Sequence, residues 1–132
     1  ETANEVGEII NQTEGIEFAN VYGVKIPGTE GKAGMAAVVL DKGLVEPDIA
    51  LSKLFANVNE NLPVYARPVF IRILKDLPTT STHKMQKNKL KSEAFNVREI
   101  SETVFVKKPN QNEYSRLDYD FYSMIMEGKA GF

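Results

Sequence analysis

Apolar residues in this chain recur at spacings that change from those of a helix to those of a strand. Between Val6 and Ile10 three apolar side chains fall on one helical face, and Gly15 follows where a helix would stop. Residues 21–26 then predict a strand. Residues 35–40 form a second apolar run, rich in β-branched side chains and short enough for a buried strand.

The middle of the chain continues with one more helix and one more strand. Leucine and other apolar residues repeat at helical spacing over residues 51–62, and Asp48 is a suitable N-cap for that helix. Residues 69–74 predict a third strand. Tyr65 and Arg67, between two prolines, indicate a rigid packed connection into it. Residues 76–82 have loop chemistry, and a short helix is predicted over residues 85–94.

Beyond residue 100 the pattern predicts a hairpin and a last helix. Residues 104–106 and 114–117 pair across a turn, and residues 118–126 form the helix. Helices interspersed with short strands indicate an α+β fold, a mixed α/β sandwich. We expect a small central sheet of about three strands flanked by helices, followed by the C-terminal hairpin and helix.

Composition narrows the class of protein. The 132 residues suit one domain, and 42% hydrophobic and 26% charged residues are ordinary for a globular protein. No apolar run approaches the ~18 residues of a membrane span, and no basic residue precedes Lys25, so neither a transmembrane segment nor a signal peptide is predicted. Cysteine is absent and His83 is the one histidine, which leaves little material for a metal site. A cytoplasmic location is expected, with peripheral membrane association left open.

Charge is unevenly distributed along the chain. The net charge is −2, and the lysine-rich stretch has no interleaved aromatic residues, so nucleic-acid binding is not expected. From His83 to Lys91, however, four lysines occur without an acid: Lys84, Lys87, Lys89 and Lys91. Such a run is either a solvated helix face or a surface that meets phosphate.

The segment around these lysines resembles the closing motif of adenylate-forming enzymes. That motif has Leu-Pro, spaced hydroxyl residues, a lysine, an aliphatic residue, a basic residue and a leucine. The matching positions here are Leu77, Pro78, Thr80, Thr82, Lys84, Met85, Lys87 and Leu90. His83 stands where most members have glycine. Relatives of the fatty-acid transport proteins, the very-long-chain acyl-CoA synthetase branch, also carry a bulky residue there, so the resemblance points to that branch.

Two further stretches, residues 21–38 and 62–68, are similar to signature stretches of the same branch, and the resemblance extends from Thr2 to about Met126. It implies one domain over residues 1–132. Residues 1–100 would be the common C-terminal lid, and residues 101–132 a long-chain-branch extension packed on it. The large N-terminal domain that holds ATP and the acyl chain lies outside this sequence.

The resemblance implies a fatty-acid–CoA ligase that uses ATP, Mg²⁺ and coenzyme A and works with its own N-terminal adenylation domain. Lys84 would be the catalytic residue, and Lys87, Thr82 and His83 would support substrate or phosphate; no metal ligand is expected in the chain itself. This chain, without the N-terminal adenylation domain, would be inactive. Two alternatives remain open from the residues: a stand-alone α+β module that binds an anionic ligand or a protein, and a purely structural assembly domain.

Overall fold

A computed structural model describes residues 2–76 and 83–132, apart from the side chains at positions 48 and 83–85. These residues include four α-helices and five strands. In chain order they are α1 (Ala3–Asn11), β1 (Ile16–Val24), β2 (Ala33–Leu40), α2 (Leu51–Asn61), β3 (Phe70–Leu74), α3 (His83–Glu93), β4 (Val104–Val106), β5 (Ser115–Arg116) and α4 (Tyr119–Met126).

The five strands form one sheet in the order β1-β2-β3-β4-β5. β2 and β3 are parallel and are joined through α2, whereas all other neighbours are antiparallel. The predicted mixed α+β fold is confirmed, but the expected sheet of about three strands was too small. The predicted hairpin does not stand apart, because β4 pairs with β3, with Ile71 opposite Phe105.

Both faces of the sheet are covered by helices. α1 and α2 pack on one face, through residues such as Ile10, Leu54 and Val58. α3 and α4 pack on the other, through residues such as Leu90 and Ile125. A strand that is buried on both faces needs apolar side chains at every position, which is why residues 35–40 read as a continuous apolar run.

β1 begins five residues before its predicted start. The register with β2 shifts between Ile16 and Phe18, so the strand bulges around Glu17. The bulge interrupts the two-residue alternation of apolar and polar side chains. Asn20, which is buried, adds a polar residue inside the strand. Because of these two irregularities, the sequence pattern does not predict the first half of β1.

The expected cap of α2 was wrong. Asp48 ends a 3₁₀ turn (Glu46–Asp48), and α2 starts after Ala50, which makes no side-chain capping bond. The other end of α2 is held by Arg67. Its Nε donates to the Leu62 carbonyl at 2.9 Å and its Nη2 donates to the Asn59 carbonyl at 3.0 Å. A guanidinium at this place satisfies carbonyls that a helix end leaves open.

The connection from α2 to β3 is packed at Arg67 but not at Tyr65, which is 79% exposed. Tyr114, which precedes β5, is buried there instead. Its hydroxyl donates to the Pro68 carbonyl at 2.7 Å, and its ring meets that of Phe55 edge to face. A residue from the C-terminal part of the chain thus supports the entrance to β3.

Tyr114→Phe is expected to lower the free energy of unfolding by about 1–2 kcal/mol, because the Pro68 carbonyl loses its buried partner. Urea unfolding of the two chains would measure the difference. Tyr119→Phe is the matched control, since Tyr119 is 55% exposed and its hydroxyl can bond to water. Equal stability of the Tyr114 variant and the parent would contradict the assigned role.

Candidate functional site

The lysine run belongs to α3, which begins at His83. His83 and Lys84 lie in the first turn of the helix, but their side chains are outside the described part of the chain. Thr82, like the rest of residues 77–82, is also outside the described residues. Of the predicted site residues, Lys87 alone has a described side chain, and it is half-buried. Positions 84 and 87 are about one helical turn apart.

α3 packs on the sheet through Leu90, in the C-terminal half of the helix. Leu90 is buried on the sheet face that α3 and α4 cover, and the amide of Ala94 donates to the Leu90 carbonyl at 2.8 Å. Ala94 has a positive φ of 47°, the left-handed conformation that commonly ends a helix. Directly afterwards Phe95 stacks on Phe70 of β3, with ring centroids 4.3 Å apart. The chain therefore turns sharply after α3 and is held against β3.

Three lysines of α3 have described side chains, and none of these three has an acidic partner among the described residues. Lys89 and Lys91 are exposed, and neither they nor Lys87 forms an ion pair with a described residue. Lys91 lies in the last turn, where a positive charge is favoured by the helix dipole. The helix thus presents unneutralised positive charge, as a surface that meets phosphate requires.

A buried ion-pair cluster beneath this helix was missed by the sequence reading. Arg72, in the middle of β3, is 7% exposed. Its Nη1 lies 2.8 Å from Glu93 Oε1, and its Nη2 lies 2.6 Å from Glu102 Oε1. Arg72 Nε also donates to Glu102 Oε1 at 2.8 Å, while the backbone N–H of Lys75 donates to Glu102 Oε2 at 3.0 Å. We call Arg72, Glu93 and Glu102 the arginine cluster.

Arg72 keeps its charge despite burial. Burial alone would lower the pKa of Arg72, but hydrogen bonds and the negative charges of Glu93 and Glu102 outweigh it and raise that pKa. The charges of the arginine cluster also act on the hydroxyl of Tyr22 in β1. Burial is the main cause that raises its pKa, and its hydroxyl has no hydrogen-bond partner among the described residues.

One signal in the sequence could have revealed the cluster. Arg72 is the single charged residue in an otherwise apolar strand, and a charge at such a position is nearly always buried with a partner. The identity of the partners was not accessible, because Glu93 and Glu102 are ordinary members of a charged helix end and a loop.

The described surface has at least four clefts of similar size, and two of them lie beside β3 and α2. One of about 310 Å³ lies where β3 ends, and Leu44, Lys75 and Glu102 are among its lining residues. The other, of about 330 Å³, is lined by α2 and the C-terminal part, including Phe55, Tyr114 and Phe132. The first cleft includes Lys75, which directly follows β3.

Among the described residues, no group of three or more His, Cys, Asp or Glu side chains could hold a metal ion. No helix among them is both long enough and apolar enough to span a bilayer.

Comparison with known proteins places this architecture in a family. A family model described as the AMP-binding enzyme C-terminal domain matches residues 5–84, more than half of the chain. The matched region ends at the lysine that the motif singles out.

Curated relatives extend the similarity beyond that region. Long-chain fatty acid transport protein 3 of Homo sapiens is 40% identical over 126 residues, which cover 94% of this chain and 18% of the relative. Long-chain fatty acid transport protein 6 of Mus musculus is 37% identical over 122 residues, covering 92% and 19%. The chain thus spans about a fifth of the length of the curated relatives it matches.

Solved structures agree on the fold. Coronafacic Acid Ligase from Pectobacterium brasiliense superposes with a TM-score of 0.61 at 21% identity, covering 80% of this chain and 19% of that one. ATP-bound MatB from Rhodopseudomonas palustris superposes with a TM-score of 0.55 at 22% identity, covering 67% and 18%. At such identities the likeness establishes the fold alone.

Tyr22→Phe is expected to stabilise the chain by about 1 kcal/mol at neutral pH, because it removes a buried hydroxyl without a described partner. It should also reduce the loss of stability in alkali. Burial raises the folded pKa of Tyr22 and of Tyr114 above the ordinary value of 10.0, so above pH 10 the unfolded chain releases protons that the folded chain retains.

Each phenol should therefore cost about 1.4 kcal/mol of stability per pH unit above its unfolded pKa, until the pH reaches the folded pKa. Urea unfolding at pH 7 and at several alkaline pH values would check both effects, with Tyr119→Phe as the exposed control. If Tyr22→Phe lost stability with pH as steeply as the parent, the burial argument would fail.

Proposed function

The chain belongs to the AMP-binding enzyme C-terminal domain family, and from that premise we propose that it is the lid of a fatty-acid–CoA ligase with Lys84 as its catalytic residue. Residues 1–100 would form the common lid and residues 101–132 an extension packed on it. The observation that carries the proposal is that the motif lysine lies in the first turn of α3, a helix that packs on the sheet through Leu90.

The acyl substrate is inferred from the relatives. Those with 36–40% identity are described as long-chain fatty acid transport proteins. This chain corresponds to about a fifth of their length, so the acyl and nucleotide pockets would lie in the remaining part of the enzyme. We therefore assign ATP, its Mg²⁺ and coenzyme A mainly to the N-terminal adenylation domain, which is the partner of this lid.

The proposed reaction has two steps. A carboxylate oxygen of the fatty acid attacks the α-phosphorus of ATP; a new P–O bond forms and pyrophosphate leaves. The coenzyme A thiol, losing its proton, then attacks the acyl carbon of the adenylate, and AMP leaves as the thioester forms. In the first step the carboxylate attacks a group that is itself anionic, whereas in the second step the thiol attacks a neutral acyl carbonyl and its proton passes to solvent.

Lys84 suits the first step. An ammonium group placed between the carboxylate and the phosphates offsets their repulsion and aligns the attack. Lysine is a compact charge on a flexible stem, which fits a position that must touch two different oxygens. Carrying it on a lid allows it to leave before coenzyme A arrives.

Lys87, Thr82 and His83 are assigned supporting roles. Lys87 is about one turn from Lys84 and has no ion-pair partner among the described residues, so its charge is available to the phosphates. Thr82 and His83 directly precede Lys84, and we propose that they shape the approach of the helix to substrate.

In the full-length enzyme, Lys84→Ala is expected to slow acyl-adenylate formation by about 10²-fold or more, because a charge that stabilises the transition state is removed. Thioester formation from preformed acyl-adenylate and coenzyme A should be nearly unchanged. Single-turnover release of pyrophosphate and of AMP would measure the two steps separately.

Lys84→Arg should also fail in the first step, since a planar guanidinium does not replace a point charge. Lys91→Ala is the matched control; this exposed lysine lies two turns further along the same helix, and its loss should be mild. If Lys84→Ala slowed both steps equally, or neither, the proposed role would be wrong.

The chain without its partner domain is expected to be inert. The closely spaced glycines at positions 28, 31 and 34 lack the spacing of a phosphate-binding loop, and the nucleotide pocket is assigned to the other domain. Titration calorimetry should detect no ATP binding tighter than about millimolar, a weak interaction of about 4 kcal/mol. Micromolar affinity, or any acyl-adenylate made by the chain alone, would favour a stand-alone binding module.

A further inference from the structure

We infer that Arg72 is a positioning residue for Lys84, acting through Glu93 and Glu102. The arginine cluster holds the chain on both sides of the segment that carries the lysine. The inference rests on the proposed function, because it assigns the cluster a role in placing the catalytic group.

The first anchor lies where the chain leaves the sheet. Glu102 uses one carboxylate oxygen to accept from Arg72 Nε, at 2.8 Å, and the other to accept from the backbone N–H of Lys75, at 3.0 Å. Lys75 is the first residue after β3. Because Glu102 is bound to the centre of the strand and to the backbone just beyond it, the backbone at Lys75 is fixed relative to β3.

The second anchor lies where the segment returns. Arg72 Nη1 lies 2.8 Å from Glu93 Oε1, and Glu93 is the last residue of α3. A single guanidinium on β3 therefore connects the departure of the segment, through Glu102, with the end of the helix, through Glu93. The planar guanidinium fixes the angle between its two carboxylates, which a lysine at this position would not do.

Packing alone constrains α3 weakly. Among its described side chains, at positions 86–93, Leu90 is the one fully buried residue. Leu90, and Phe95 stacked on Phe70 just after the helix, are apolar contacts and therefore non-directional, whereas the contact between Glu93 and Arg72 is directional. Replacement of all three members of the arginine cluster by apolar groups of similar volume would be about neutral for stability, since buried ion pairs are often no more stabilising than apolar groups. The cluster is thus better explained by orientation than by stability.

The length of α3 makes this orientation matter. Lys84 precedes Glu93 by nine residues, about 13 Å along a helix axis, so a tilt of about 10° at Glu93 would displace the start of the helix by about 2 Å. A displacement of 1 Å at a reacting centre can cost about 10²-fold in rate. Small changes in the geometry of the arginine cluster should therefore displace Lys84 and slow the proposed reaction.

The experiment uses the full-length enzyme and two substitutions of Glu93. Glu93→Ala removes the tether of α3 and leaves the Arg72–Glu102 pair in place, whereas Glu93→Gln retains an oxygen that can accept from Arg72. Acyl-adenylate formation should fall by about 10-fold or more in Glu93→Ala and by distinctly less in Glu93→Gln. Thioester formation from preformed acyl-adenylate should stay within about twofold in both.

Val58→Ala controls for a general loss of stability. Val58 is fully buried on the opposite face of the sheet, so its truncation weakens the core without touching α3. It should lower the melting temperature and leave the ratio of the two half-reaction rates unchanged. Hydrogen exchange should accelerate in α3 of Glu93→Ala and in neither α1 nor α2, which keeps the test decisive if activity is low.

The inference is overturned if Glu93→Ala leaves adenylate formation intact, slows both half-reactions equally, or matches Val58→Ala in its ratio of rates. Lys84→Ala measured in the same assays separates this outcome from failure of the proposed function. A Lys84 variant that retains adenylate formation removes the premise. A crippled Lys84 variant beside a normal Glu93 variant removes the positioning role alone.

Discussion

Coverage of both sheet faces is the constraint on which the rest of the structure depends. β2 and β3 are parallel neighbours whose side chains are buried on both sides and, apart from Arg72, apolar, so each face has to be covered by helices. α2 covers one face as part of the connection between the two strands. The opposite face is closed by segments that follow β3, and α3 is the first of these. The helix that carries the lysines is therefore also a structural layer.

The two halves of α3 contribute separately to the structural layer and to the lysine-bearing surface. The C-terminal half contributes Leu90 to the core and Glu93 to the arginine cluster, and the chain after it is locked by the stacking of Phe95 on Phe70. The N-terminal half carries the positions that the motif assigns to chemistry. Anchoring one end and leaving the other to meet substrate is a common way to place a reactive group on a rigid element.

Regular periodicity made most elements predictable, and local irregularity made the rest inaccessible. α2, β2, β3, α4 and the C-terminal hairpin follow patterns of period 3.6 or 2 that the sequence displays directly. The first half of β1 did not, because a bulge near Glu17 and the buried Asn20 break the alternation. The join between hairpin and central sheet depends on pairing between β3 and β4, which are 29 residues apart and carry no local signal.

The residues of the candidate site also differ in whether the sequence alone could predict them. Lys84 could be nominated from a linear motif, whereas Arg72, Glu93 and Glu102 become one unit only when three separate segments meet. A single arginine in an apolar strand announces a buried charge but not its partners. Tyr65, which lies 79% exposed between two prolines, shows the converse error: a bulky aromatic residue in a rigid connection need not be packed.

The distribution of the arginine cluster over the chain has a consequence for protein engineering. Arg72 and Glu93 lie within residues 1–100, but Glu102 lies just beyond them, in the stretch before β4. A chimaera joined anywhere between residues 94 and 101 would give the strand from one parent and its carboxylate from the other. Crossover points for exchanging lids between enzymes are therefore better placed upstream of β3 or downstream of β4.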